Sequence, residues 1–402
     1  MSVTALTSQE RLTGLSLAAI FGLRMLGLFL ILPVFTVFAQ TFPGGDDLTR
    51  VGIALGAYGL TQACLQIAYG AASDRWGRKP VIVFGLLLFI VGSVVAALAT
   101  HLDTIIMGRI LQGAGAISAA ITALAADLTP PDKRTRIMAM IGASIGLVFA
   151  LSLVIAPALY GWVGMSGIFW LTALLGVLAI VTLLKVVPVA PLCAERLPPA
   201  PLLEVLKHPQ LLPLNVGVFT LHLTQTALWV LIPSALVAGG MPVVTHWQIY
   251  LPAVLLSFTV MVPAILQAEK KGRMRQVLIS AVLLLLLVDL GLSGAGSSIG
   301  LLAFWLILFF VAFNILEAIQ PSLISRIAPP QSKGKAMGLY NTLQALGLFA
   351  GGALGGWLSQ QVGSGSVFCL CALLALGWLL LIARLKLPTF SATSTSSSTE
   401  SA

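Results

Sequence analysis

Twelve predominantly apolar runs, at about 14–39, 51–72, 80–100, 103–127, 137–161, 167–188, 213–238, 247–267, 276–293, 298–325, 335–360 and 366–386, occupy most of this chain. A helix of roughly 20 apolar residues matches the hydrocarbon thickness of a bilayer. Only 9% of the 402 residues are charged and 58% are hydrophobic, whereas soluble domains carry about 25% charged residues. A water-soluble globule made of this chain would have too little polar surface to cover itself. In lipid every backbone polar group must pair internally, which leaves helices or a closed barrel. The runs do not alternate as barrel strands do. The expected fold is therefore an all-α membrane protein with twelve transmembrane helices.

The positions of the bases orient it. The loops at 73–79, 128–136, 268–276 and 326–335 hold thirteen Lys or Arg, and the loops on the opposite side hold Arg50 alone. Basic loops stay in the cytoplasm, so both termini are expected there. The net charge of +9 reflects this bias rather than a nucleic-acid partner; the expected surroundings are the lipid bilayer. Of four cysteines, Cys64, Cys369 and Cys371 fall in apolar runs and Cys193 in a loop, with no metal-ligand or disulfide spacing. The polar start, Met1–Thr13, leads into a full-length run without a cleavage pattern and is expected to be retained.

The Pro-rich stretch 189–212 is expected to be a cytoplasmic linker, with one short interfacial helix around Leu202–Lys207. It divides an N-terminal six-helix bundle, 1–188, from a C-terminal one, 213–386. The Ser/Thr-rich tail, 387–402, is expected to be disordered. The halves look related. Asp74-Arg75-Trp76-Gly77-Arg78 lies over Glu269-Lys270-Lys271-Gly272-Arg273, and Leu128-Thr129-Pro130-Pro131 over Ile327-Ala328-Pro329-Pro330. Parallel repeats of six spans are a transporter architecture, with the binding site between the halves.

The stretch Gly70-Ala-Ala-Ser-Asp-Arg-Trp-Gly-Arg-Lys-Pro80 resembles the loop 2–3 signature of the major facilitator superfamily. Gly108-Arg109-Ile110-Leu111-Gln112-Gly113 resembles that family's fourth-helix pattern, and Ala156-Pro157 its antiporter motif, with alanine in place of glycine. Leu23-Arg24-Met25-Leu26-Gly27, Leu32-Pro33-Val34, Val311–Asn314 and Pro321–Ser325 look like the YajR group of bacterial drug:proton antiporters. That group's representative carries a small soluble domain after its twelfth helix; here a Ser/Thr tail is expected instead. The resemblance implies two pseudo-symmetric six-helix bundles, a central cavity lined by helices 1, 4, 7 and 10, and an Arg78–Asp127 ion pair. It also implies that Asp74 faces the start of the eleventh helix, and that Gly70, Asp74, Arg75, Gly77, Arg78 and Asp127 gate the cytoplasmic side.

Charges at bilayer depth cost roughly 2.5–3.5 kcal/mol each on insertion scales, so they mark function by default. Arg24, His222 and Glu317 lie roughly 13–15 Å from the cytoplasmic ends of runs 1, 7 and 10 at the rise of a helix. The family fold implies that the three share one aqueous site. Glu317 is the expected proton carrier, with His222 second and Arg24 as a fixed counter-charge. Arg109 is a further coupling candidate on the family pattern. His222 and Gln225, like Asn314 and Glu317, are spaced i to i+3 and share a helix face. With Asn215, Gln112, Phe29 and Trp229 they are the expected substrate cavity. Asp289, in a peripheral run, is expected to snorkel or to hydrogen-bond locally.

The expected protein is a proton-coupled secondary transporter in a bacterial inner membrane, a monomer that exports small amphiphilic or drug-like compounds. Its energy source is the proton gradient, with no cofactor and no metal. A proton-coupled importer of a polar metabolite and a non-transporting membrane sensor are the alternatives. No His-Glu-x-x-His, Gly-x-Ser-x-Gly or nucleotide-loop pattern points to an enzyme.

Overall fold

Each apolar run coils as a helix in the structure, a computed structural model that describes residues 7–130, 133–188, 208–329 and 332–384. Span 1 is Ser8–Ala39, span 2 Leu48–Trp76, span 3 Arg78–Ala97 and span 4 Leu102–Asp127. Spans 5 and 6 lie within Arg134–Lys185. Span 7 is Leu212–Ala238, span 8 Val243–Lys270, span 9 Met274–Ser293 and span 10 Ile299–Ile327. Span 11 is Lys333–Gln361 and span 12 Ser364–Ala383. Ten described helices are long and apolar enough to cross a bilayer; one contains two spans, and the Gly-rich span 11 completes twelve. The linker residues 189–207, with the expected helix at Leu202–Lys207, and the tail 387–402 lie outside the described residues.

Gly164 is where spans 5 and 6 part. Its φ of +66° is a left-handed conformation inside otherwise helical backbone, which glycine adopts without a Cβ penalty. Ser144 Oγ donates to the Ala18 carbonyl at 3.0 Å and Thr172 Oγ1 to the Gly27 carbonyl at 3.3 Å. A straight helix would set residues 144 and 172 about 42 Å apart, whereas Ala18 and Gly27 are separated by about 14 Å of helix. The chain therefore climbs along span 1, reverses at Gly164 and descends. Lys79 Nζ, at the start of span 3, donates to the Val187 carbonyl at 2.5 Å, where span 6 comes back to the basic end.

The packing repeats between the halves. Span 1 packs on span 5 as span 7 packs on span 11; 2 on 4 as 8 on 10; 3 on 4 as 9 on 10; and 3 on 6 as 9 on 12. Large apolar side chains such as Phe84, Leu147, Leu255, Leu287 and Leu380 stand exposed on the outside. In water that belt would drive aggregation; in lipid it faces a solvent as apolar as itself.

The halves meet mainly through spans 2 and 11. The joint lies toward the end opposite the basic loops and is made of backbone laid against backbone. A Cβ on Gly56 would sit 2.9 Å from the Phe349 carbonyl oxygen and 3.0 Å from its Cα. Only small residues permit such an approach between helices. Leu48 N donates to Gln360 Oε1 at 3.2 Å, and Thr36 Oγ1 to the Trp229 carbonyl at 2.9 Å. Ser234 Oγ lies 3.5 Å from Gln40 Oε1 across the same seam. In a background lacking the native cysteines, Gln40→Cys with Ser234→Cys should oxidise to a disulfide that clamps this end shut. The transport that the sequence leads one to expect should then stop and recover on reduction; full flux with the cross-link in place would show that this seam need not open.

Candidate functional site

Span 7 turns a polar face inward, and its histidine has a defined tautomer. His222 Nδ1 lies 3.0 Å from the Val218 carbonyl one turn earlier. A carbonyl only accepts, so the network assigns the proton to Nδ1. Nε2 then presents a lone pair, and Gln344 Nε2 on span 11 donates to it at 2.7 Å. The same amide reaches Glu317 Oε1 on span 10 at 3.4 Å. Glu317 Oε2 stands 3.5 Å from His222 Nε2. The His222 side chain is 5% exposed and that of Glu317 36%. Glu317 touches span 7 through His222 and span 11 through Gln344. A proton delivered to His222 Nε2 converts the Gln344 contact into an ion pair with Glu317. Spans 7, 10 and 11 thus bring an imidazole and a carboxylate together around one amide.

Arg24 is elsewhere. Its guanidinium donates to Ser118 Oγ at 3.1 Å, Tyr58 Oη at 2.5 Å and Gln62 Oε1 at 3.3 Å, all within the first half. The expectation of Arg24 as counter-charge to Glu317 is corrected: its hydrogen-bonding partners are neutral. Depth along a helix carries no azimuth, and span 1 turns Arg24 toward spans 2 and 4. Arg109 joins the same network. It donates to Gln112 Oε1 at 2.8 Å and to the Leu55 carbonyl at 3.2 Å. The two guanidinium carbons lie 5.7 and 5.2 Å from the Tyr58 ring centre, within cation–π range. Both arginines are 1% exposed.

Two expected cavity residues are packing residues instead. Trp229 is fully buried, edge-on to Tyr250 and tilted against Phe310. Gln112 is fully buried and donates to Ser93 Oγ at 2.9 Å, joining span 4 to span 3. Asn314 turns from Glu317 to span 8, where its Nδ2 donates to Ser257 Oγ at 2.7 Å. Asn215 and Gln225 are 4% exposed, and Asn215 Oδ1 has no hydrogen-bond partner. Phe29 is half-buried, edge-on to Phe149 of span 5 at 5.0 Å. Asp289 does not snorkel: it is fully buried, and neither carboxylate oxygen has a hydrogen-bond partner. Gln344, Tyr58, Gln62 and Ser118 were not singled out from the sequence. The signal was there in Gln344 and Gln62, which are amides inside apolar runs. No metal-binding cluster exists among the described residues.

At the basic end, span 2 stops at Trp76 and span 3 begins at Arg78, with Gly77 at φ +92° between them. Gly70, on the last turns of span 2, faces Ala119 of span 4. Arg75 is exposed in the final turn, where a cation suits the helix dipole. Arg78 is 8% exposed and is the hub: Nε donates to Asp127 Oδ2 and Nη1 to Ser73 Oγ, each at 2.7 Å, and Nη1 also to Asp74. The cluster ties spans 2, 3 and 4 of the first half; Glu269–Arg326 at 3.2 Å ties spans 8 and 10 of the second. Arg78→Ala removes three hydrogen bonds at once, two of them to carboxylates. It should lower stability in detergent by about 1–3 kcal/mol, and Asp74→Asn, at a half-exposed site, by less than about 1 kcal/mol. Thermal unfolding checks the order. Ala156 is fully buried in span 5, and Pro157 sits inside the same helix.

The family model described as Major Facilitator Superfamily matches residues 17–352 and 214–401. The inner membrane transport protein YajR of Escherichia coli is 41% identical over 389 residues, covering 96% of this chain and 86% of that protein. The multidrug resistance protein MdtH of Proteus mirabilis is 29% identical over 357 residues, covering 83% of this chain and 84% of that protein. Among solved structures, a bacterial homolog of the human lysosomal transporter Spinster, inward-facing and occupied, superposes with a TM-score of 0.75. That pair shares 14% sequence identity and covers 95% of this chain and 98% of the other.

Proposed function

The chain belongs to the major facilitator superfamily, and from that premise we propose that it is a proton-coupled transporter exporting small amphiphilic compounds by alternating access. The observation that carries this reading is the Glu317–His222 pair at 3.5 Å, bridged by Gln344. A carboxylate and an imidazole in a shielded site hold a proton count that depends on their surroundings. Gln344 is part of those surroundings, and it sits next to Ala345, whose carbonyl approaches Gly59 of span 2. When the far-end seam opens, span 11 moves relative to span 2, and the amide moves with it. Losing the Gln344 donor frees the His222 lone pair for a proton. Opening and proton uptake are then one event, and return of span 11 favours release on the other side.

The basic loops are cytoplasmic, which places the closed seam outside and the Arg78 cluster inside, with both termini in the cytoplasm. The name of the MdtH relative, a multidrug resistance protein, supports export of drug-like compounds. The YajR relative is named an inner membrane protein, which supports the same location in a bacterium. The protein works as a monomer, with the proton gradient in place of a cofactor. In proteoliposomes with an imposed pH gradient, amphiphilic compounds from a broad panel should accelerate collapse of the gradient. A panel on which no compound does so overturns the reading.

A further inference from the structure

The first half holds a positive charge that its neighbours do not neutralise. Arg24 and Arg109 are each 1% exposed. Among the described residues neither guanidinium has a carboxylate partner; both bond only to hydroxyls, amides and carbonyls. A buried cation without a counter-ion is costly, and proteins pair such groups or fill the place with a ligand. Arg109 spends its donors on the Leu55 carbonyl and Gln112. Each guanidinium keeps a buried, unpartnered Nε–H, and that of Arg24 lies beside further open polar groups.

Other donors collect beside it. Tyr58, Gln62, Gln66, Tyr69 and Ser73 are spaced 4, 4, 3 and 4 along span 2, so they share one helix face. This face points into the bundle, since Gln62 is 8%, Gln66 1% and Tyr69 7% exposed. Gln62 and Tyr58 already bond to Arg24. The Tyr69 ring lies against Gly85 of span 3, and its oxygen is within electrostatic reach of Arg24. Yet the Tyr69 hydroxyl and both amide atoms of Gln66 have no partner. Buried polar groups in native folds are nearly always satisfied. Here Arg24 Nε–H, the Gln66 amide N–H groups and the Tyr69 O–H are left open on one polar face, with no carboxylate among their partners. Gln66 Oε1 is the one open acceptor beside them; three donor groups, one of them a cation, favour an anion over a cation or a metal.

We propose that Arg24, Gln66 and Tyr69 form a receptor for the carboxylate of the transported compound, which makes the substrate an amphiphilic organic anion. The inference rests on the transport reading above and adds the charge of its substrate. The Arg24 guanidinium supplies the charge, and Gln66 and Tyr69 supply neutral donors on its basic-end side. The polar face runs on to Ser73, which accepts from Arg78. The proton pair on the second half remains a separate element.

Equilibrium binding to the purified full chain in detergent tests this, using benzoate against benzamide and naphthoate against naphthamide. The carboxylate of each pair should bind at least about tenfold tighter than its neutral amide, as a charge-assisted contact requires. Gln66→Leu and Tyr69→Phe break no existing hydrogen bond and should leave the protein folded; each should reduce that preference to less than about threefold. Arg24→Gln should abolish it and Arg24→Lys should keep part of it. Equal affinity for acid and amide in the wild type, unchanged preference in both Gln66→Leu and Tyr69→Phe, or no binding of either acid at millimolar concentration overturns the proposal. The measurement uses no gradient. A protein that drives neutral amphiphiles with protons but shows no acid preference refutes the anion site alone; one that prefers acids without gradient-coupled flux refutes the proton coupling alone.

Discussion

Glu317→Gln should abolish transport driven by a pH gradient, a loss of at least about a hundredfold, the range attributed to a positioned acid–base group. The substitution keeps the volume and the hydrogen-bonding reach to Gln344, so folding and substrate binding should survive. What disappears is the proton. A glutamine at that place cannot change charge, and His222 loses the carboxylate 3.5 Å away as a partner. Exchange of labelled substrate across the membrane with no gradient should persist within about threefold of wild type, because it needs the conformational cycle and not net proton movement. His222→Ala should follow the same pattern with a smaller loss, about tenfold, since Glu317, the main proton carrier in this account, is kept. Proteoliposome flux with and without an imposed gradient separates the two quantities. Equal gradient-driven flux in Glu317→Gln and wild type would remove Glu317 from the coupling mechanism.

Gly56→Leu should have the next largest effect, for mechanical reasons. A Cβ there already falls 2.9 Å from the Phe349 carbonyl oxygen, and leucine adds three more carbons at a place where both neighbours are backbone. Side chains can rotate away; backbone cannot without moving the helix. Overpacking costs about 1–3 kcal/mol even in cores that adjust, and 1.4 kcal/mol is about tenfold in a population. Span 2 should therefore be pushed from span 11, and the seam at Leu48–Gln360 and Gln40–Ser234 should part. Transport should drop at least about tenfold, and the Gln40→Cys and Ser234→Cys pair should no longer oxidise. Spin labels at those positions should report a longer distance than in wild type. Fast transport with an intact cross-link would mean that the seam absorbs the leucine, contrary to the rigid contact inferred from it.

The twelve helices were legible because bilayer thickness imposes a run length that composition cannot hide, and the reversal between spans 5 and 6 was legible as a break in that run. The repeat was legible in Asp74–Arg78 and Glu269–Arg273, and the packing order of the spans follows it. Azimuth was not legible. Arg24, His222 and Glu317 lie at similar depth, but which side of a helix each occupies depends on tertiary packing, and the helices turn Arg24 into one half and the other two into the other. Trp229 and Gln112 show the same limit: a large ring or an amide at midplane depth reads equally as cavity wall or as packing until its neighbours, Tyr250 and Arg109, are placed. Gln344 is visible in the sequence as an amide in a Gly-rich span, but it carries no charge to set it above other polar residues there. Its role shows only once His222 and Glu317 are both within its reach.

Proton release on substrate binding tests the central claim most directly. Adding a transported compound to purified protein in weakly buffered detergent, with a pH-sensitive dye, should release protons from the wild type and none from Glu317→Gln, at matched occupancy of the site. Silence from the wild type at saturation, or equal release from the variant, would contradict coupling through the Glu317–His222 pair.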